Sequence, residues 1–349
     1  MAKLLIVTDA WHPQVNGVVV ALDNIKKHLE ARGFEVAVLH PGHFWTTAFP
    51  LYPEIRLAPF GASLVREYLD RQTPDFVHIA TEGPLGLSAR LLCKQRGLLF
   101  TTSYHTHFQL YTHVRFKIFL GAVFGLLCWF HKAAATTMVA TPGLKSALEA
   151  QNFRNLRLWP LGVDCDVFSD QGVVRFAQLK RPVFTYFSRL APEKSPDEFF
   201  RLTLPGSKLV IGDGPERKRL EALYGANAKF VGTKRGQDLI YWLLQSDVVV
   251  FPSRTETFGL VILEALACGI PVAAHDVMGP RDIITHGVDG FLDEDLERAA
   301  RACLTLTRSA CRAKALRYGW EESAQQFVKN LVPARPVPAM TETTLRDVA

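Results

Sequence analysis

Two glutamates with seven residues between them, Glu256 and Glu264, bracket the stretch of this chain best suited to chemistry. Ahead of them lies a run of four apolar residues, 248–251, bounded by Asp247 and Pro252. Such a run reads as a strand buried in a parallel sheet. A polar loop follows over 253–257. Residues 258–268 are apolar all round and lack Pro, which suits a buried helix stopped by Gly269 and Pro271. The next strand begins at 272–274. In open parallel sheets, ligands sit at such strand-to-helix loops. Helical side chains lean toward the N-terminus, so Glu264 points back toward the loop that carries Glu256. A buried carboxylate is costly without hydrogen-bond donors, and sugar hydroxyls are such donors. Between the two acids, the amides of Phe258, Gly259, Leu260 and Val261 form a helix N-terminus, which favours phosphate. Acceptor, anion cradle and second acceptor then match a sugar, a diphosphate and a ribose in order. An exposed helix face would account for a lone Glu, but Glu264 stands among Val261, Ile262, Leu263, Ala265 and Leu266.

Other residues with chemical potential also stand at strand ends. Arg189 and Lys194 follow a strand at 183–187. A planar fork beside a point charge suits a diphosphate. Gly17 opens a helix over 18–32 behind a strand at 3–8, where a Gly lets backbone approach phosphate closely. His105 and His107 follow a strand at 98–103. Without a third ligand nearby they do not make a metal site. No Asp-x-Asp follows the strands that carry these residues, so Arg189, Lys194 and the helix N-terminus take the place of a metal ion. No resident cofactor is expected.

Glu256-x-Phe258-Gly259 followed by Glu264 resembles the double-glutamate motif of retaining family 4 glycosyltransferases with the GT-B fold. The resemblance runs through nearly the whole chain. It implies two Rossmann-like domains facing across a cleft. It implies that Asn16-Gly17-Val18 is the glycine loop pressed on the donor diphosphate. By alignment on Ser103-Tyr104-His105-Thr106, the histidine that touches donor sugar and acceptor is His105 rather than His107. Arg189 and Lys194 would neutralise the leaving diphosphate, although Ser195 stands where the family commonly has Gly. Thr233, Lys234 and Leu239, with Leu239 opening a helix, fall in the loops that hold the nucleotide base. The donor implied is a nucleoside-diphosphate sugar, GDP-mannose or a UDP-hexose. The motifs around Gly17 and His105 look most like GDP-mannose-dependent α-mannosyltransferases and related glycolipid glycosyltransferases. The alternatives are a UDP-sugar-dependent glycolipid synthase and a sugar-nucleotide 2-epimerase.

The elements that must position these residues fit a chain of 349 residues, enough for two domains. With 48% hydrophobic and 21% charged residues, both can have full cores. The first domain is expected over 1–170, binding acceptor, and the second over 171–318, binding nucleotide sugar. The resemblance implies that a helix over 319–332 returns to the first domain. Pro333, Pro336 and Pro338 suggest a disordered tail over 333–349. Of the net +6, residues 1–165 hold 16 Lys/Arg against 11 Asp/Glu, and the rest 24 against 23. The excess favours an anionic partner for the first domain. Nucleic acid is not that partner, because no zinc-finger, RNP or basic-helix pattern occurs. The apolar segment 118–130, flanked by Arg115, Lys117, His131 and Lys132, reads either as a core helix or as one lying in a membrane interface. The expected acceptor is a lipid or glycan, with peripheral membrane contact. Six scattered cysteines without CxxC pairs, no signal peptide and no spanning helix point to the cytoplasm, at or near the inner membrane face. Nothing in the sequence indicates an oligomeric state.

Overall fold

Short apolar runs alternate with helical stretches, and this alternation builds two parallel sheets. The computed structural model describes residues 1–14, 16–49, 52–59, 61–105, 120–169 and 178–335. The first domain runs β1 (Lys3–Val7), α1 (Gly17–Ala31), β2 (Glu35–Leu39), β3 (Thr47–Phe49), β4 (Tyr52–Leu57), α2 (Ala62–Gln72), β5 (Phe76–Ile79) and α3 (Pro84–Gln95). It continues with β6 (Thr101–Tyr104), α4 (Leu120–His131), β7 (Thr136–Val139), α5 (Pro142–Glu149) and β8 (Leu156–Leu158). The strand order is β2-β1-β5-β6-β7-β8, all parallel, and β3 and β4 form a separate antiparallel pair.

The second domain opens with β9 (Val183–Phe187), α6 (Pro196–Arg201), β10 (Ser207–Ile211), α7 (Arg217–Tyr224), β11 (Ala228–Gly232) and α8 (Gly236–Leu243). Then come β12 (Val248–Phe251), α9 (Leu260–Ala267), β13 (Val272–Ala274), α10 (Pro280–Ile283), β14 (Gly290–Leu292), α11 (Leu296–Cys303) and α12 (Arg308–Ala315). Its sheet is β11-β10-β9-β12-β13-β14, again parallel throughout. In both sheets the order reverses beside the first strand, between β1 and β5 and between β9 and β12. Crevices open at such reversals, at the carboxyl ends of the strands.

The last helix, α13 (Trp320–Asn330), crosses back to the first domain, as the resemblance implied. Glu321 pairs there with Arg32 and lies 3.2 Å from His28. The indole N–H of Trp159 donates to Ser323 at 3.1 Å. Phe327 is fully buried, edge-on to Trp159 at 5.0 Å and to His78 at 4.9 Å. One apolar cluster therefore runs from beneath β1, through Trp159, Leu161 and Phe327, to Ile262 and Leu266 under β12.

Several expectations are corrected. The helix expected over 258–268 spans only Leu260–Ala267, because Gly259 adopts φ +99° and sets the cap. α8 begins at Gly236, so Leu239 lies within it rather than opening it. At the sheet edge, β14 begins at Gly290. The tail is ordered at its start: Pro333 bridges to Phe76, Ala334 is 1% exposed, and its amide donates to the Asp75 carbonyl at 2.7 Å. Residues 336–349 lie outside the described residues, as do His107, Arg115 and Lys117. The apolar segment divides its two readings. In α4, Leu127 and Phe130 are buried at 3% and 2%, whereas Leu126 and Trp129 are 60% and 45% exposed.

Candidate active site

The reversal point of the second sheet is where the predicted residues gather. Lys194 ends a 3-10 turn, Pro192–Lys194, shortly after β9, while Glu256 lies in the loop after β12. Their side chains meet, with Lys194 Nζ donating to Glu256 Oε2 at 2.6 Å. Each is 15% exposed, so the pair is nearly dry and little screened by water. Ser195 explains the departure from the common Gly. It adopts φ +48°, the left-handed region that Gly enters without cost. Arg189 is half-buried and held from behind. The Tyr186 hydroxyl donates to its carbonyl at 2.8 Å. Gly212 and Gly214 press on the carbonyls beside it, where a Cβ would lie 2.0 Å from the Ser188 oxygen and 2.3 Å from that of Leu190. Those two glycines let β10's exit loop approach the backbone on either side of Arg189.

Phe258 is buried at 3% behind the loop. Leu260 and Val261 form the first turn of α9, half-exposed toward the cleft. Gly17 faces them from the first domain, its missing Cβ 3.6 Å from Leu260 Cδ1. Asn16 caps α1 by accepting from the Val19 amide at 3.0 Å. A glycine-started helix and a second helix N-terminus thus oppose each other across the cleft. One turn further along α9, the Glu264 carboxyl finds no hydrogen-bond partner among the described residues, and burial pushes it up to about 7. Thr233 is exposed and Lys234 half-exposed after β11, and Leu239 is buried at 9% in α8. They line a different loop from the Lys194–Glu256 pair.

His105 leaves β6 in the first domain and is brought to the same place. Its carbonyl accepts from Thr257 Oγ1 at 2.6 Å, directly linking the two domains beside Glu256. Its Nε2 lies 2.7 Å from Ser103 Oγ, and the edge of Trp159 stands 5.5 Å from its ring. Burial lowers it to about 4, so the imidazole is neutral at physiological pH. A second link joins the domains where Asp282 accepts from the Gly143 amide at 2.8 Å, at the start of α5. Thr257 and Asp282 were not singled out from the sequence, because each is a common polar residue whose role depends on a partner far along the chain.

With this arrangement in view, the comparisons with known proteins are direct. Residues 15–167 match the family described as Glycosyltransferase Family 4, and residues 173–318 match Glycosyl transferases group 1. The chain belongs to the family 4 glycosyltransferases. It is 29% identical to the GDP-mannose-dependent alpha-mannosyltransferase of Mycobacterium tuberculosis, over 83% of each chain. It is also 29% identical to the sulfoquinovosyl transferase of Arabidopsis thaliana, over 90% of this chain and 70% of that one. In fold it superimposes on sucrose-phosphate synthase from Thermosynechococcus elongatus with a TM-score of 0.76 at 18% identity, covering 94% and 98% of the two chains. Anabaena HepE in complex with UDP-glucose follows at 0.69 and 20% identity, covering 94% and 99%. These likenesses establish GT-B architecture for this glycosyltransferase.

The site predicts a pH signature. The Glu264 carboxyl holds its proton to about 7 in the folded chain against an ordinary 4.5. Its contribution to stability is therefore complete below about 4.5 and is lost as pH rises through about 7. Urea denaturation of the parent and of Glu264→Gln between these limits should show the parent losing stability relative to the variant. A difference that stays flat across the window would contradict the assigned environment.

Proposed function

We propose that this glycosyltransferase moves a hexose from a nucleoside-diphosphate sugar to a hydroxyl of a lipid or glycan acceptor, with retention at the anomeric carbon and without a metal ion. The observation that carries the reading is the near-dry Lys194–Glu256 pair at the sheet reversal, beside the first turn of α9 and the unpartnered Glu264. An ammonium has three N–H donors, so Lys194 can hold Glu256 and a diphosphate oxygen together. Arg189 and the amides of Leu260 and Val261 complete the anion site, with Gly17 leaving room on its far side. Preorganised donors of this kind each lower a barrier by roughly 3 kcal/mol. Glu256 accepts from a sugar hydroxyl and Glu264 from the ribose. The loop at Thr233 and Lys234, with Leu239 of α8 behind it in sequence, holds the base. Neutral His105 faces the sugar and the acceptor.

In this reading the acceptor oxygen attacks from the face the diphosphate leaves. Its bond to the anomeric carbon forms as the carbon–phosphate oxygen bond breaks. The departing phosphate takes the acceptor proton. No side chain of the site then has to act as covalent nucleophile. Mannose carried on GDP is the donor favoured by the M. tuberculosis relative. The sulfoquinovosyl transferase and the UDP-glucose complex of HepE support a UDP-sugar as the second reading.

For the acceptor side, α3 exposes Leu87 and Leu91, and α4 exposes Leu126 and Trp129. Arg90 fixes the two helices together, its guanidinium 3.5 Å over the Trp129 ring and donating to the Trp129 carbonyl at 2.7 Å. Lys94 and Lys132 are exposed on the same two segments. This surface suits the cytoplasmic leaflet of an anionic membrane. No helix among the described residues is long and apolar enough to cross a membrane.

A thermal-shift panel of GDP, UDP and ADP tests the donor. At ~100 times its dissociation constant a nucleotide stabilises by about 2.7 kcal/mol. GDP should give the largest shift, and stabilisation by UDP alone would overturn that choice. Glu264→Ala should weaken nucleotide binding about tenfold or more, the loss expected for ~1.4 kcal/mol of charged hydrogen bonding. Glu256→Ala should abolish transfer with nucleotide affinity retained, and equal losses of affinity in the two variants would refute the division of roles. Flotation with anionic liposomes tests the surface. Binding should fall with salt and with Leu91→Glu plus Leu126→Glu, whereas protein that never floats at low salt would leave the surface without a lipid partner.

A further inference from the structure

The first sheet has a reversal point of its own, between β1 and β5, and of the loops leaving those two strands the site described above uses only the one after β1, through Gly17. Two acids leave those strands. Asp9 is fully engaged in structure. Its carboxylate accepts from the Leu85 and Gly86 amides at 2.9 and 3.2 Å and from Thr81 Oγ1 at 2.9 Å. A Cβ on Gly83 would lie 2.4 Å from its Cγ. Glu82 is different. Its Oε1 lies 3.1 Å from His131 Nε2, its side chain is 24% exposed, and Oε2 has no hydrogen-bond partner among the described residues. His131 is 2% exposed and fixed from behind, its Nδ1 2.9 Å from Thr102 Oγ1. The rings of Phe130, Tyr104 and Phe153 stand 5.2, 5.6 and 5.9 Å away. A carboxylate is thus held rigidly at the mouth of the first sheet, after the strand next to β6. His105 ends β6's run at the same edge, tied by its carbonyl to Thr257 beside Glu256.

We propose that Glu82 binds the acceptor, taking a hydrogen bond from a hydroxyl next to the one that reacts. The reacting hydroxyl has a single proton, and in the front-side route that proton goes to the departing phosphate. A carboxylate on the acceptor side therefore needs a second hydroxyl. The acceptor class that follows is a polyol head, a sugar or glycolipid, rather than a lone lipid alcohol. His131 is a positioning residue, acting only through Glu82. The inference rests on the glycosyl-transfer reading and deepens it.

The test uses the full-length protein with GDP-mannose and UDP-glucose as donors, and two acceptor probes: octyl β-glucoside, a polyol head, and dioctanoylglycerol, a lone hydroxyl. The parent should transfer to octyl glucoside. Glu82→Gln, which keeps shape but loses charge, should raise the KM for octyl glucoside at least tenfold. Donor KM and nucleoside-diphosphate affinity should stay within twofold, a split that general loss of structure does not produce. His131→Gln should shift the acceptor KM in the same direction by less. Transfer to octyl glucoside with an unchanged acceptor KM in Glu82→Gln, or an equal loss of donor affinity, overturns the role of Glu82. Transfer to dioctanoylglycerol alone overturns the polyol class. A parent that transfers to neither probe from either donor refutes the underlying reading, and the inference with it.

Discussion

The hydrogen bond from Thr257 Oγ1 to the His105 carbonyl, 2.6 Å long, is the contact on which the site depends. It joins the loop after β12 to the end of β6, so Glu256 and His105 face the same space although they sit on separate sheets. Everything else serves that meeting. α13 returns to pack Phe327 against Trp159 and His78, and Trp159 in turn borders the His105 ring. Asp282 fastens the second domain to the start of α5. The first domain contributes the histidine and the second the charges, so neither sheet alone contains the arrangement.

Burial gives the charges their force and sets their cost. Lys194 and Glu256 are each 15% exposed, and water does little to screen them. Removing one partner of such a pair leaves an uncompensated charge, a loss of about 3 to 5 kcal/mol in buried examples. The pair is therefore poor evidence of selection for stability. Under the proposed function it is preorganised electrostatics kept ready for an anionic ligand. Glu264 shows the same logic without a partner. Its carboxyl is pushed up to about 7, which marks it as a group the fold alone does not satisfy.

Much of this was legible in the sequence, for physical reasons. β9 and β12 are unbroken apolar runs between polar or Pro boundaries, and both strands fall at the predicted residues. The left-handed Ser195 accounts for a position where the family resemblance implies a Gly. The rest was hidden because its meaning lies in distant pairing. Thr257 and His105 are 152 positions apart, and Glu82 and His131 are 49 apart. No local spacing reports either. The stretch between β2 and β5 gives a faint strand signal because its strands are short. The helix Leu120–His131 carries no hydrophobic period because it is apolar on its buried and exposed faces alike.

The stereochemistry of the product tests the central claim most directly. GDP-mannose and UDP-glucose are both α-linked, and a reaction in which acceptor and phosphate share one face keeps that configuration. Proton NMR of the newly formed linkage during early turnover should show only the α-anomer. A β-linked initial product would mean attack from the opposite face, and the arrangement of Lys194, Glu256 and His105 described here would then be assigned to the wrong reaction.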